Sequence, residues 1–182
     1  PIMTVARTFV GPKEPFHATV TPPGDKSLSH RALILAAMAP GESHVAGLGP
    51  GADVGSTVAC LRAFGVTVDG AAVRSRGVAR WSPSAGMLDA GNSGTTLRLL
   101  CGAAAGRPFT TVLGGDASLS RRPMRRLVAP LEALGATITV SDRGTPPVAV
   151  NGTALRGAEV WIAVPSAQVR TAFVLAALQA DG

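Results

Sequence analysis

Three segments of this 182-residue chain open alike. Gly24-Asp25-Lys26-Ser27, Gly91-Asn92-Ser93-Gly94 and Pro165-Ser166-Ala167-Gln168 each lead into an apolar helical pattern, and the starts lie about 70 residues apart. A period of that size means one supersecondary unit used repeatedly. In the first copy the pattern predicts a helix over 31–39 stopped by Pro40-Gly41, a strand over 43–48, and a second helix over 53–64 ended by Gly65. Two short strands, 66–68 and 71–74, flank Asp69-Gly70, a two-residue hairpin signal. The second copy predicts a helix over 95–105 stopped by Gly106, a strand over 110–113, and a second helix with Pro123 in its first turn, a kink at Pro130 and Gly135 at its end. Strands over 137–140 and 148–150 close that unit. The third copy gives a helix over 169–178 and little more. Each complete unit therefore reads strand–helix–strand–helix–strand–strand, an α/β class. The third lacks its second helix and closing strands, so the chain is expected to be a fragment.

The hydrophobic content, 46% against 15% charged, allows one sizeable core and excludes a mainly disordered chain. The longest apolar runs, 32–39 and 172–178, fall far short of the ~20 residues a membrane span needs. Arg7, Pro12, Lys13 and Glu14 interrupt 1–16, which leaves no secretory apolar region there. Cys60 and Cys101 sit inside apolar patterns and read as buried free thiols of a reducing compartment.

Seventeen basic residues against eleven acidic ones give a charge of +6, and fifteen of the seventeen are arginine. Such a chain favours anionic partners, and the guanidinium fork suits phosphate because it donates two parallel hydrogen bonds. The repeat starts concentrate this tendency. Each places a small polar residue just before a helix and an arginine about one turn later: Ser27 with Arg31, Ser93 with Arg98, Ser166 with Arg170. A helix N-terminus carries unpaired N–H groups and partial positive charge, so three in register point to anion binding. Lys26, Ser27 and Arg31 together suggest a phosphate or carboxylate cradle. A Walker-type phosphate loop is excluded, because Asp25 stands where a glycine belongs. His17, His30 and His44 are scattered, no metal-ligand spacing is present, and the histidines read as surface or structural residues.

Four motifs in order carry a resemblance: Pro23-Gly24-Asp25-Lys26-Ser27-Leu28-Ser29-His30-Arg31-Ala32, Gly91-Asn92-Ser93-Gly94-Thr95-Thr96-Leu97-Arg98, Arg122-Pro123-Met124 and Ser166-Ala167-Gln168-Val169-Arg170. From about residue 8 onward the chain closely resembles the 5-enolpyruvylshikimate-3-phosphate synthase family of the shikimate pathway, which serves aromatic amino acid biosynthesis. The resemblance implies two similar domains of three βαβαββ units each, of the inside-out α/β barrel kind. Residues 1–22 would be a strand segment of the other domain, and 23–182 an incomplete enolpyruvyl transferase domain. It also implies that the 5-hydroxyl of shikimate 3-phosphate attacks phosphoenolpyruvate, with phosphate leaving from a tetrahedral intermediate and no metal or organic cofactor taking part.

Carried over by motif, Lys26 and Arg122 would be the catalytic residues, with Lys26 touching both substrates. Ser27, Arg31, Ser166, Ala167 and Gln168 would hold shikimate 3-phosphate. Gly94 and Arg122 would line the phosphoenolpyruvate site, which the inhibitor glyphosate shares, and Gln168 would reach both ligands. Asn92 and Thr95 are further candidates for contact. A cytoplasmic protein, monomeric when complete, without nucleic-acid or membrane partners, is what the family implies. Two departures stand out: Ala167 where many members have serine, so any contact there must be through the backbone, and Leu99 where many have proline. The family's acid–base carboxylates have no counterpart here, so the fragment alone is expected to be inactive. Two alternatives remain at this stage. One is the related transferase acting on a UDP-amino sugar, which would carry a reactive cysteine before an Arg-Pro; Ser120-Arg121-Arg122-Pro123 has none. The other is a nucleic-acid or anion-binding module without catalysis, disfavoured by 4% aromatics and no tyrosine.

Overall fold

A computed structural model describes residues 8–163 and 165–182. Helix α1 (Lys26–Met38) starts five residues before the apolar run that predicts it, since its first turn faces solvent. Asp25 caps it, its carboxylate accepting from the Leu28 N–H at 2.7 Å. Ala39, held extended before Pro40, ends it. Strand β1 (Pro40–His44) lies earlier than the 43–48 expected. Its residues are mostly exposed and it is held by backbone pairing at a sheet edge, so no buried face marks it in the sequence. Pro40 begins the strand, where no ladder N–H is needed.

Helix α2 (Ala52–Ala63) has Asp53 in its first turn and Arg62 in its last, each complementing the helix dipole. Gly65, at φ +89°, turns the chain out of it. The hairpin of β2 (Thr67–Asp69) and β3 (Ala72–Arg76) pairs Asp69 with Ala72, so its loop is Gly70-Ala71, one residue beyond the expected Asp69-Gly70.

The second unit is complete in outline: β4 (Leu88–Asp89), α3 (Gly94–Ala104), β5 (Thr110–Gly114), α4 (Val128–Glu132), β6 (Thr137–Val140) and β7 (Val148–Asn151). Its second helix departs from expectation. Pro123 lies between two 3₁₀ turns, Leu119–Arg121 and Arg125–Leu127, instead of opening an α-helix. The Met124 and Arg125 N–H groups both donate to the Gly144 carbonyl, which draws the backbone away from helical pairing. Pro130 causes no kink, because it is the third residue of α4, where an N–H has no intrahelical acceptor. A third unit holds β8 (Leu155–Arg156), α5 (Ala167–Ala177) and β9 (Ala180–Asp181).

The sheets repeat one plan. The first runs β1-β3-β2, all antiparallel; the second runs β4-β5-β7-β6, with β4 parallel to β5 and the rest antiparallel; the third pairs β8 parallel to β9. Stripped of β4, the second sheet has the order of the first. The expected leading strand of the first unit is not found among residues 8–25, and the opening part of the expected 1–22 segment lies outside the described residues.

Helix α3 is buried along its whole length, with α1, α2 and α5 packed around it. Small residues permit this. A Cβ on Gly102 would lie 2.0 Å from the Ala172 carbonyl oxygen of α5, so only glycine lets these two backbones meet. Phe64 stacks on Trp81 at 4.7 Å over the first unit. Cys60 and Cys101 are buried and unbridged, and burial pushes both thiols up to about 12.

Candidate anion-binding site

The repeat brings the N-termini of α1, α3 and α5 together. Ser93 caps α3, accepting from the Thr96 N–H at 3.0 Å, and Ser166 caps α5, accepting from the Val169 N–H at 3.4 Å. The matching residue of α1 is Asp25, not Ser27. Ser27 is the second residue of α1, exposed on its first turn, which corrects its placement ahead of the helix. Arg31 lies one turn on, donating to the Ser27 carbonyl at 3.0 Å and, through Nε and Nη2, to Thr171 Oγ1 of α5 at 3.2 and 3.1 Å. Thr171 in turn donates to the Ala167 carbonyl at 2.8 Å. This ties the cradle residues of α1 to the first turn of α5. Ala167 is the first residue of α5, so its N–H has no helical acceptor.

Gln168 joins α5 to α3. Its Oε1 accepts from Arg98 Nη1 at 2.5 Å, and its Nε2 donates to Thr95 Oγ1 at 2.8 Å. Arg98 is 5% exposed and also donates to the Pro123 carbonyl at 3.2 Å, while its buried Nε has no partner among the described residues. Burial, then the neighbouring Arg126 and Arg122, pull its pKa down to about 10, so it stays charged at neutral pH. Arg122 donates to Asn92 Oδ1, and to Ser118 Oγ at 3.4 Å. Asn92 donates at 3.0 Å to Asp116, whose carboxyl is held below its usual range mainly by the Leu119 N–H and by Asn92 itself. Gly94 sits between the guanidiniums: a Cβ there would lie 2.7 Å from Arg98 Nη1 and 3.3 Å from Arg122 Nη1.

Lys26 reaches across to Asp53 of α2 at 2.9 Å, with its side chain 58% exposed. Among the described residues the only other ion pair is Arg74–Glu42, away from these helix starts. Arg31, Arg98, Arg122, Arg126 and Arg170 thus stand without a carboxylate partner among the described residues. Cations and open N–H groups without counter-charge make a site that gains from a multiply charged anion.

Of the residues named from sequence, Gly94, Arg122 and Gln168 gather around Arg98, while Arg31, Ser166 and Ala167 meet where α1 faces α5. Lys26 joins them only through Asp53, whose backbone carbonyl accepts from Thr96 Oγ1 at 3.3 Å. Arg98 was visible in the repeat, yet its central position was not. Asp53 carried no sequence signal as part of the site.

A chain that repeats one α/β plan and collects arginines without carboxylate partners at one set of helix starts is an α/β protein with a candidate anion site. The chain belongs to the EPSP synthase family, whose model, described as EPSP synthase (3-phosphoshikimate 1-carboxyvinyltransferase), matches residues 10–182. A relative named 3-phosphoshikimate 1-carboxyvinyltransferase from Halorhodospira halophila is 48% identical over 180 residues, covering 95% of this chain and 40% of its own length. One of the same name from Chloroflexus aurantiacus is 48% identical, covering 96% of this chain and 41% of its own length. A solved structure of EPSP synthase from Acinetobacter baumannii superposes with a TM-score of 0.85 at 40% identity, over 90% of this chain and 38% of that one. The chain therefore spans about 40% of the length of these relatives.

Proposed function

We propose that the full-length protein transfers the enolpyruvyl group of phosphoenolpyruvate to the 5-hydroxyl of shikimate 3-phosphate. The hydroxyl gives up its proton as its oxygen bonds to C2 of phosphoenolpyruvate, while C3 takes a proton, giving a tetrahedral intermediate. Loss of a proton from C3 and of phosphate from C2 then leaves the enol ether. The observation that carries this reading is the cluster of unpaired guanidiniums around Gly94 and Gln168. Two substrates bearing phosphate and carboxylate groups repel one another, and fixed cations with N–H donors offset that repulsion while holding the reacting atoms close.

In this assignment shikimate 3-phosphate lies over α1 and α5, against Ser27, Arg31, Ser166, the Ala167 N–H and Gln168. Phosphoenolpyruvate lies beside Gly94 and Arg122, and Lys26 leaves Asp53 to bridge both anions. Proton transfer is assigned to groups outside this chain, as the family resemblance implies; Asp25 is occupied as a helix cap. The segment 8–22, which leaves Phe9, Val10, Phe16 and Val20 exposed, is assigned to the second domain of the same protein. The protein is assigned to the cytoplasm as a monomer. Among the described residues no helix is long and apolar enough to cross a membrane.

A UDP-amino-sugar transferase is disfavoured by the thiols, since both cysteines are buried and protonated at neutral pH. The test is phosphate release from the full-length protein. Release is expected only when shikimate 3-phosphate and phosphoenolpyruvate are both present, and none from residues 1–182 alone. Release with a UDP-amino sugar in place of shikimate 3-phosphate would select the alternative.

A further inference from the structure

A line of polar side chains runs through the apolar core directly beneath these helix starts. His30 of α1 has no exposure, and its Nδ1 lies 2.7 Å from Thr57 Oγ1 of α2. Thr57 Oγ1 lies 2.7 Å from Thr96 Oγ1 of α3, and Thr96 Oγ1 lies 2.7 Å from Ser93 Oγ, the cap of that helix. Thr57, Thr96 and Ser93 are likewise fully buried. Polar groups in such a place cost free energy unless each finds a partner, and a core of leucine and alanine would fill the volume without that cost. The other ring nitrogen, His30 Nε2, is buried with no partner among the described residues.

That unpartnered nitrogen sets the direction of the line. An unpaired buried N–H is the costlier defect and an unpaired acceptor the milder one. The imidazole therefore carries its proton on Nδ1 and leaves a bare lone pair on Nε2. Nδ1–H donates to Thr57, the Thr57 hydroxyl donates to Thr96, and the Thr96 hydroxyl is directed to Ser93 Oγ or to the Asp53 carbonyl. The ring stays neutral: burial lowers its pKa, as do the charges of Lys26 and Arg31, against the opposing pull of Asp53.

The two ends of the line are what matter. His30 lies one turn from Lys26 on α1; Thr57 lies one turn from Asp53, which holds Lys26; Thr96 and Ser93 fix the turn that presents the Gly94 backbone. We propose that His30 is a positioning residue, setting the first turn of α3 and hence Gly94 in register with Lys26 through the Thr57–Thr96–Ser93 line. This rests on the reading that Gly94 and Lys26 hold phosphoenolpyruvate. The contacts of α5 to shikimate 3-phosphate are also tied to α1 by Arg31–Thr171, which does not pass through α3, so a break in the line should fall more heavily on phosphoenolpyruvate.

The test compares His30→Leu, His30→Asn and Thr57→Val in the full-length protein, with nitrogen-15 spectra of its histidine rings. The amide nitrogen of asparagine occupies nearly the place of Nδ1 and keeps the donor. His30→Leu and Thr57→Val should raise KM for phosphoenolpyruvate about tenfold, as expected for losing one buried hydrogen bond, with KM for shikimate 3-phosphate changed less than about threefold. His30→Asn should restore the phosphoenolpyruvate value to within about threefold of the parent. The spectra of the parent should show His30 protonated on Nδ1 and bare on Nε2 at pH 7. An Nε2–H ring overturns the proposal even if the leucine variant does not fold. So does a leucine variant with the parent's KM values, or equal losses on both substrates in all three variants. If the parent itself binds neither anion, it is the functional reading that falls.

Discussion

Replacing Gly94 with alanine tests the site at its most crowded point. The new methyl carbon would sit 2.7 Å from Arg98 Nη1, nearer than carbon and nitrogen can approach without bonding to each other, and 3.3 Å from Arg122 Nη1. Arg122 can yield, because it is partly exposed. Arg98 cannot move freely: it is 5% exposed, and the same Nη1 donates to Gln168 at 2.5 Å. Pushing it aside breaks or stretches one charge-assisted hydrogen bond, about 1.5–3 kcal/mol, and unseats Gln168. At ~1.4 kcal/mol per tenfold, that predicts a KM for phosphoenolpyruvate raised about 10- to 150-fold in the full-length protein. Glyphosate, placed on the same spot, should weaken at least as much. In the proposed assignment shikimate 3-phosphate loses only its Gln168 contact and keeps Arg31, Ser166 and the Ala167 N–H, so its affinity should fall by no more than about tenfold, the worth of one hydrogen bond. Steady-state kinetics with each substrate varied, plus glyphosate inhibition curves, measure all three. Unchanged inhibition with equal losses on both substrates would refute the reasoning and leave Gly94 as a helix-packing residue.

Three further outcomes are expected. Lys26→Met should abolish most turnover, the loss of one charged hydrogen bond to each anion amounting to about 3–6 kcal/mol, while the thermal midpoint barely moves because the Lys26–Asp53 pair is solvent-exposed. Kinetics and a melting curve on one preparation check both halves. Gly102→Ala should destabilise the fold by at least about 2 kcal/mol in urea titration, since α3 and α5 must part to admit a methyl 2.0 Å from the Ala172 carbonyl. Because burial holds the His30 pKa below its ordinary 6.5, the unfolded chain takes up a proton there before the folded one does. Stability should therefore fall as pH drops below about 6.5 toward the lower folded value, and urea midpoints at two pH values should show that component gone in His30→Asn.

Much of this fold is legible in the sequence because each unit states its own punctuation. Gly65 and Gly135 both take positive φ where a helix ends, and the long helices carry their apolar faces openly. Legibility fails where tertiary pairing overrides local pattern. Strand β1 has no buried face to advertise it, and the Gly144 carbonyl takes the N–H groups that would have continued a helix after Pro123. The site divides the same way. Lys26, Arg31, Gly94, Arg122 and Gln168 stand in motifs that can be read, whereas Asp53 and Thr57 belong to the site region only because α2 packs across the starts of α1 and α3. His30 looks like one of three scattered histidines until its burial and its line of hydroxyls are seen.

The central claim is that the gathered helix starts of this chain hold both anions. A crystal structure of the full-length protein with shikimate 3-phosphate and phosphoenolpyruvate, or glyphosate in place of the latter, tests it most directly. The predicted result has the shikimate ligand within hydrogen-bond distance of Ser27, Arg31, Ser166 and the Ala167 N–H, and the second anion against the Gly94 backbone and Arg122. Lys26 Nζ should have left Asp53 to contact both. Ligands bound elsewhere, with the Lys26–Asp53 pair still closed at 2.9 Å, would contradict it.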